Sequence, residues 1–165
     1  MESELSCSVE LDRTFDHEIT NVAFGGLPTE KVIEIFKDGR PFSHFIEIWL
    51  EKEYPTLKHI EGCKEYDFVD RIHTTTRYDE KTFTQGGCRY CPSSMIGSGR
   101  KFNQNEFMEK TKRLVFCIVS NIHFPNIKVR FVKGTTLLTQ YPKGVIPLKD
   151  FDKFLAVETL SPEIL

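Results

Sequence analysis

Asp67, Asp79 and Lys81 are the residues of this chain whose types and spacing could do chemistry. Asp79 and Lys81 stand two apart in RYDEKTFT, among aromatic and β-branched residues, so on a strand they share a face. Asp67 lies in KEYDFVDRI, residues 64–72, which alternates and reads as the preceding strand. If the two strands pair as a hairpin, Asp67 approaches Asp79. Two carboxylates and a backbone carbonyl make a hard-oxygen site suited to Mg2+. Such an ion stabilises charge on a scissile phosphate and lowers the pKa of a bound water. A neighbouring lysine orients that water, helps to deprotonate it, or offsets charge in the transition state. The chemistry expected is phosphodiester hydrolysis without a covalent intermediate.

These residues need elements to position them. LPTEKVIEIFKDG predicts a short helix with Thr29 as N-cap, apolar Val32, Ile33 and Phe36, and Gly39 as its stop. SHFIEIWLEKEY predicts a second helix, capped by Ser43 and ended by Pro55, with Glu47 and Glu51 one turn apart on one face. The two strands follow, with a turn near His73–Thr75. Residues 85–100, QGGCRYCPSSMIGSGR, are rich in glycine and read as a long loop of the kind that carries function. FNQNEFMEKTKR predicts a helix capped by Asn103. LVFCIVSNI reads as a buried central strand with Cys117 as a core thiol, and IKVRFVKG as a half-buried one. LKDFDKFLAVE reads as a final helix or an irregular packing segment. Residues 1–26 read as a partly ordered lead-in. The expected fold class is α/β, a central mixed sheet flanked by helices, in a single domain over residues 1–165.

The net charge of −2 hides an asymmetry. Residues 77–144 hold twelve Lys and Arg against four acids, which is +8, and the remainder of the chain carries −10. A basic half of this kind suits a polyanion such as DNA. No apolar run approaches the roughly 20 residues of a membrane span, so no membrane partner is expected. The acidic N-terminus lacks the basic and apolar regions of a signal peptide, which predicts an intracellular, cytoplasmic protein with reduced thiols.

Asp67, eleven intervening residues, then Asp79-Glu80-Lys81 resembles the PD-(D/E)XK nuclease motif. The resemblance covers roughly residues 42–133, and YDFVD followed by YDEKT is most similar to small type II restriction endonucleases. It implies a restriction-endonuclease-like core, a homodimer that cuts double-stranded DNA, and Mg2+ bound by Asp67 and Asp79 with Lys81 assisting the nucleophilic water. A glutamate from the preceding helix often joins such sites. Glu47 and Glu51 are the candidates, with Glu51 preferred as nearer the strand. The chain departs from the family at two positions. Tyr66 stands where a proline is usual, and Glu80 occupies a middle position that is usually apolar. Asp70 offers a second register for the first metal ligand.

Arg100 and Lys101 could contact phosphates, and Asn103, Gln104 and Asn105 could read base edges. Tyr90 could stack on a base or anchor its loop, and Lys128, Arg130 and Lys133 form either a solvated face or a stripe against the DNA backbone. Cys88-x-x-Cys91 reads either as plain thiols or as half of a zinc site completed by Cys63, His73 or His123. Two other functions stay open on the sequence: a structure-specific nuclease of the junction-resolving or repair type, and a non-enzymatic binding module in which Asp79, Glu80 and Lys81 are surface charges.

Overall fold

The computed structural model describes residues 5–92, 95, 99 and 101–157. The apolar run expected as a central strand is one: β6, Leu114–Ser120, is buried along almost its whole length. It lies inside a six-stranded sheet built with β1 (Thr14–Glu18), β2 (Leu57–His59), β3 (Phe68–Asp70), β4 (Arg77–Phe83) and β7 (Asn126–Lys133). The spatial order is β1-β7-β6-β4-β3-β2. β4 and β6 run parallel, while the other neighbours pair antiparallel, so the sheet is mixed as expected. Parallel neighbours need a long crossover. Residues 84–113 supply it, including α3 (Gln104–Lys112), whose first turn is capped by Asn103 accepting from Glu106 N–H at 3.1 Å.

Helices cover both faces. On one face lie α1 (Thr29–Lys37) and α2 (Gly39–Glu53). Phe42, Ile46 and Leu50 recur every four residues along α2, which aligns them in a single stripe. That stripe packs on Phe68, Tyr78, Val115 and Cys117. On the other face Phe107 of α3 packs with Phe83, Phe116 and Ile118 of the sheet and with Leu137 of α4 (Gly134–Gln140). Phe151 and Phe154 of α5 (Phe151–Phe154), which follows a 3-10 turn over Leu148–Asp150, close this layer. β4 therefore has two identities. Tyr78 and Glu80 point toward α2, while Asp79, Lys81 and Phe83 point toward the layer of α3 to α5.

Several expectations are corrected. Residues 1–26 contain β1, an edge strand registered on β7 by Phe15↔Val129 and its neighbours. Its residues alternate, but in a short stretch of mixed polarity that does not stand out alone. The N-caps are Pro28 and Asp38, not Thr29 and Ser43. Gly39 opens α2 rather than stopping α1, because Asp38 alone turns the chain in an extended conformation, and its carboxylate accepts from Arg40 N–H at 3.0 Å. The strand expected over 64–72 is only Phe68–Asp70, so Asp67 precedes it. Three elements escaped the sequence reading: β2, α4, and the small sheet of β5 (Cys88–Arg89) with β8 (Val145–Ile146). Gly134 begins α4 because nothing larger fits: a Cβ there would lie 1.8 Å from Thr111 O. Among the described residues no helix is long and apolar enough to cross a membrane.

Candidate active site

β3 pairs with β4 only through Phe68↔Tyr78 and Val69↔Arg77. From Asp79 to Phe83, β4 keeps β6 on one side and parts from β3 on the other. Asp67 sits at this fork. Its N–H donates to Tyr78 O at 2.8 Å, and its carboxylate accepts from Glu80 N–H at 2.7 Å. The Asp67 side chain thus satisfies an edge donor where the neighbouring strand has left. N–H and C=O of one strand residue point to the same side, so the Glu80 carbonyl faces the same fork.

The carboxyl of Asp79 is hydrogen-bonded to that of Asp67. On the same face Lys81 Nζ lies 3.2 Å from Asp79 Oδ2, with both side chains about four-fifths buried (18% and 21% exposed). Two carboxylates this close cannot both ionise without compensation. Burial and then Asp67 push Asp79 up to about 7, against the pull of Lys81. Asp67 is raised as well, chiefly by burial and further by Glu47, although its bonds to Asp79 and Glu80 N–H pull it down. Burial works to lower Lys81, but the charges of Asp79, Asp67 and Glu80 outweigh it and hold the ammonium above its ordinary pKa. Protonation of the pair is thus favoured, beside a lysine whose charged form is favoured.

Glu80 faces the α2 core and is 6% exposed. Thr82 Oγ1 donates to its Oε1 at 2.9 Å. Burial, with added repulsion from Asp67, Glu47 and Asp79, drives its pKa well above the carboxylate range. The middle position of Asp79-Glu80-Lys81 is thus filled by a buried carboxyl whose ionisation is strongly disfavoured.

The two helix glutamates separate. Glu47 acts on both Asp67 and Glu80, and its Oε2 meets His59 Nε2 at 3.2 Å. Glu51, preferred on sequence, accepts from His59 N–H at 2.5 Å and pairs with Arg71 at 3.8 Å. Glu51 therefore ties α2 to β2, and Glu47 is the helix carboxylate whose charge reaches Asp67 and Glu80. His59, on the sequence a surface or packing residue on or near the second helix, stands on β2 against both glutamates; β2 gave little signal, since it is three residues long and lacks a period.

Asp70 is not part of this group. It is fully buried and accepts five hydrogen bonds: Ser8 N–H (2.7 Å), Ser8 Oγ (2.8 Å), Tyr78 Oη (2.5 Å), Ile72 N–H (2.9 Å) and His73 N–H (3.0 Å). Burial alone would raise its pKa, but the bonds from Tyr78, His73 and Ser8 hold it well below the ordinary value. Its oxygens are thus taken up by donors of the chain itself.

The DNA-contact candidates are divided. Arg100 lies outside the described residues. Lys101, Gln104 and Asn105 are exposed at the start of α3. Asn103 is committed to capping. Tyr90 anchors its loop: it is buried and its hydroxyl donates to Leu137 O (3.1 Å) and Tyr141 O. Lys128 pairs with Asp16 of β1 (2.8 Å) and Arg130 with Asp12 just before it (3.2 Å), so part of the expected basic stripe is paired within the chain. Lys110 and Lys112 likewise pair along α3 with Glu106 and Glu109. Cys88 and Cys91 are free, buried thiols beneath the site, close enough for the Lys81 charge to act on both.

Among the described residues no set of three His, Cys, Asp or Glu side chains surrounds a metal position. The donor set is nonetheless all oxygen: two neighbouring carboxyls and one main-chain carbonyl at the fork. That chemistry fits a small hard cation, which would replace a proton of the pair and draw further oxygens from water and phosphate. It does not fit zinc at Cys88 and Cys91, since those thiols find no third ligand among the described residues. No protein-family model, curated protein or solved structure matches this chain.

Proposed function

We propose that this chain is a Mg2+-dependent endonuclease that hydrolyses phosphodiester bonds of double-stranded DNA. Within that class the reading is a PD-(D/E)XK enzyme with a restriction-endonuclease-like core, similar to small type II restriction endonucleases and working as a homodimer. The observation that carries it is the Asp67–Asp79 carboxyl pair at the β3–β4 fork with Lys81 bonded to Asp79 on the same face. The element order supports it: α2, the antiparallel run β2-β3-β4, α3, then β6 parallel to β4. A bound Mg2+ would supply positive charge to the scissile phosphate and acidity to its water.

The chain's own residues do the rest. Asp67 and Asp79 release their shared proton and turn oxygens toward the fork. Lys81 stays protonated because Asp79, which it bonds, and then Asp67 favour its charge. It therefore acts as a hydrogen-bond donor that orients the attacking water and offsets charge on the phosphate, rather than as a base. Glu80, buried, core-facing and disfavoured as an anion, contributes its main-chain carbonyl rather than its side chain. Lys101, Gln104 and Asn105 present exposed donors at the opening of α3 that suit phosphate and base-edge contacts. One such site cuts one strand, so a double-strand cut takes two copies.

The test is plasmid DNA incubated with the full chain and Mg2+. Discrete fragments are expected, with Asp79→Ala and Lys81→Ala each slowing cleavage at least ~10³-fold while keeping the wild-type circular dichroism spectrum. Cleavage that survives both substitutions, or no cleavage of any duplex with Mg2+ or Mn2+, contradicts the proposal.

A further inference from the structure

The face of the sheet that carries Asp79 and Lys81 also carries a row of two cations. Register pairs Lys58 of β2 with Val69 of β3, and Val69 with Arg77 of β4. Residues directly opposite on paired strands share a face, and along β4 Arg77 shares its face with Asp79 and Lys81. Lys58, Val69 and Arg77 therefore form one row beside the Asp67–Asp79 pair. At ~4.8 Å between strands and ~3.4 Å between residues, the Arg77 backbone stands roughly 10 Å from that of Lys58 and roughly 7 Å from that of Asp79.

The layer of α3 to α5 ends along this row. Leu114 of β6, opposite Arg77, packs against that layer. Arg77 and Val69 are half-buried, and Lys58, on the edge strand, is exposed. The Arg77 guanidinium lies over the Tyr66 ring at 4.6 Å. That stack uses the face of the guanidinium and leaves the N–H donors in its plane. Among the described residues no acid pairs with Arg77 or Lys58, and no Arg77 nitrogen is buried without a partner, so its donors reach solvent. An exposed lysine on an edge strand also discourages pairing with another sheet. β4 is interior, so that explanation does not extend to Arg77.

Along one face of β4 the order is cation, carboxyl, cation: Arg77, Asp79, Lys81. The carboxyls suit a metal cation at one phosphate, and the row beside them offers donors to phosphates further along the same strand. Two cations in line with an apolar residue between them fit a repeating anion rather than a single small one. Tyr66 directly precedes Asp67, so the ring that holds Arg77 is anchored next to the carboxyl pair. Asp67 and Asp79 are the acids beside the row, and burial disfavours the ionisation of both, which limits their repulsion of an anion.

We propose that Arg77 and Lys58 bind the phosphate backbone of duplex DNA beside the Asp67–Asp79 pair, with Tyr66 as the positioning residue for Arg77. The choice of duplex DNA as the polyanion rests on the nuclease reading of the same face.

The test is fluorescence anisotropy of a short labelled DNA duplex titrated with the full chain in EDTA, where hydrolysis does not intrude, over a range of salt concentrations. Arg77→Gln and Lys58→Gln are each expected to weaken binding and to lower the slope of log affinity against log salt by about 1. Lys58 is exposed, so its substitution leaves the fold intact and keeps the test valid should Arg77→Gln unfold the chain. Tyr66→Ala is expected to weaken binding as Arg77→Gln does, and Tyr66→Phe, which keeps the ring, to restore it. Lys31→Ala, an exposed position on α1 against the opposite face, is expected to leave the slope unchanged. No binding by the wild type, slopes unaltered in Arg77→Gln and Lys58→Gln, or an equal loss in Lys31→Ala overturns the proposal. Cleavage in Mg2+ with those slopes unaltered overturns the row and leaves the nuclease reading standing. The expected slopes without cleavage in Mg2+ support the row and contradict the nuclease reading.

Discussion

Asp67 and Asp70 are three residues apart at one strand, and the fold treats them in opposite ways. Asp70 is surrounded by five donors and stays ionised although it is fully buried. It fastens residue 8 and the turn after β3 to the sheet. Asp67 has one N–H donor and a second carboxyl as neighbours, and its ionisation is disfavoured. A buried carboxylate with a full set of donors stabilises a fold, and an under-satisfied pair is a place where a ligand is needed. The sequence does not choose between these two aspartates: three apart in YDFVD, they would take opposite faces of a strand, and which one meets Asp79 depends on the pairing register. What separates them is where β3 stops pairing with β4.

The largest effect that could break this contrast is on stability. Asp70→Ala leaves the Tyr78 hydroxyl and several N–H groups unpaired in the core. The expected loss is about 3–5 kcal/mol in urea unfolding. Asp67→Asn, by contrast, relieves a repulsion and is expected to leave stability equal or higher in the absence of metal. A larger loss for Asp67→Asn than for Asp70→Ala would reverse the assignment.

A smaller effect is the pH dependence of that difference. The folded pKa of Asp79 lies near 7, above its ordinary value of 3.8. Between these values the folded chain binds more protons than the unfolded one, so stability falls as pH rises through the window. Without metal, the wild type should therefore lose thermal stability relative to Asp79→Asn from about pH 4 to about pH 7. Asp70 has the opposite sign: its contribution is present above the ordinary carboxylate value and is lost only as pH falls below it. A wild-type difference that stays flat across the window would mean that the pair does not share a proton. Smallest is Ser8→Ala, which removes one of the five bonds to Asp70 and should cost about 1 kcal/mol.

Much of the candidate site was legible in the sequence. The two-residue spacing of Asp79 and Lys81 places them on one face, and the hairpin brings Asp67 alongside. The buried run of β6 and the alternation of β7 were also legible, because continuous or alternating apolar residues report burial directly. The choice between Glu47 and Glu51 was not. Both lie on one face of α2, and only the tertiary placement of β2 turns His59 and Glu51 toward each other. Glu80 was visible as an anomaly, but the burial that disfavours its ionisation depends on α2 packing over it. β1 and the β5–β8 pair are short, and they are fixed by the strands they join rather than by their own residues.

The central claim is that the Asp67–Asp79 pair exchanges its shared proton for a divalent cation. Calorimetric titration of Mn2+ into the metal-free chain near pH 6.5, repeated in two buffers of different ionisation enthalpy, tests it most directly. The account predicts saturable binding with net proton release, lost in Asp67→Asn and in Asp79→Asn and retained in Ser8→Ala. Binding of equal affinity in Asp67→Asn, or binding without proton release, would contradict it.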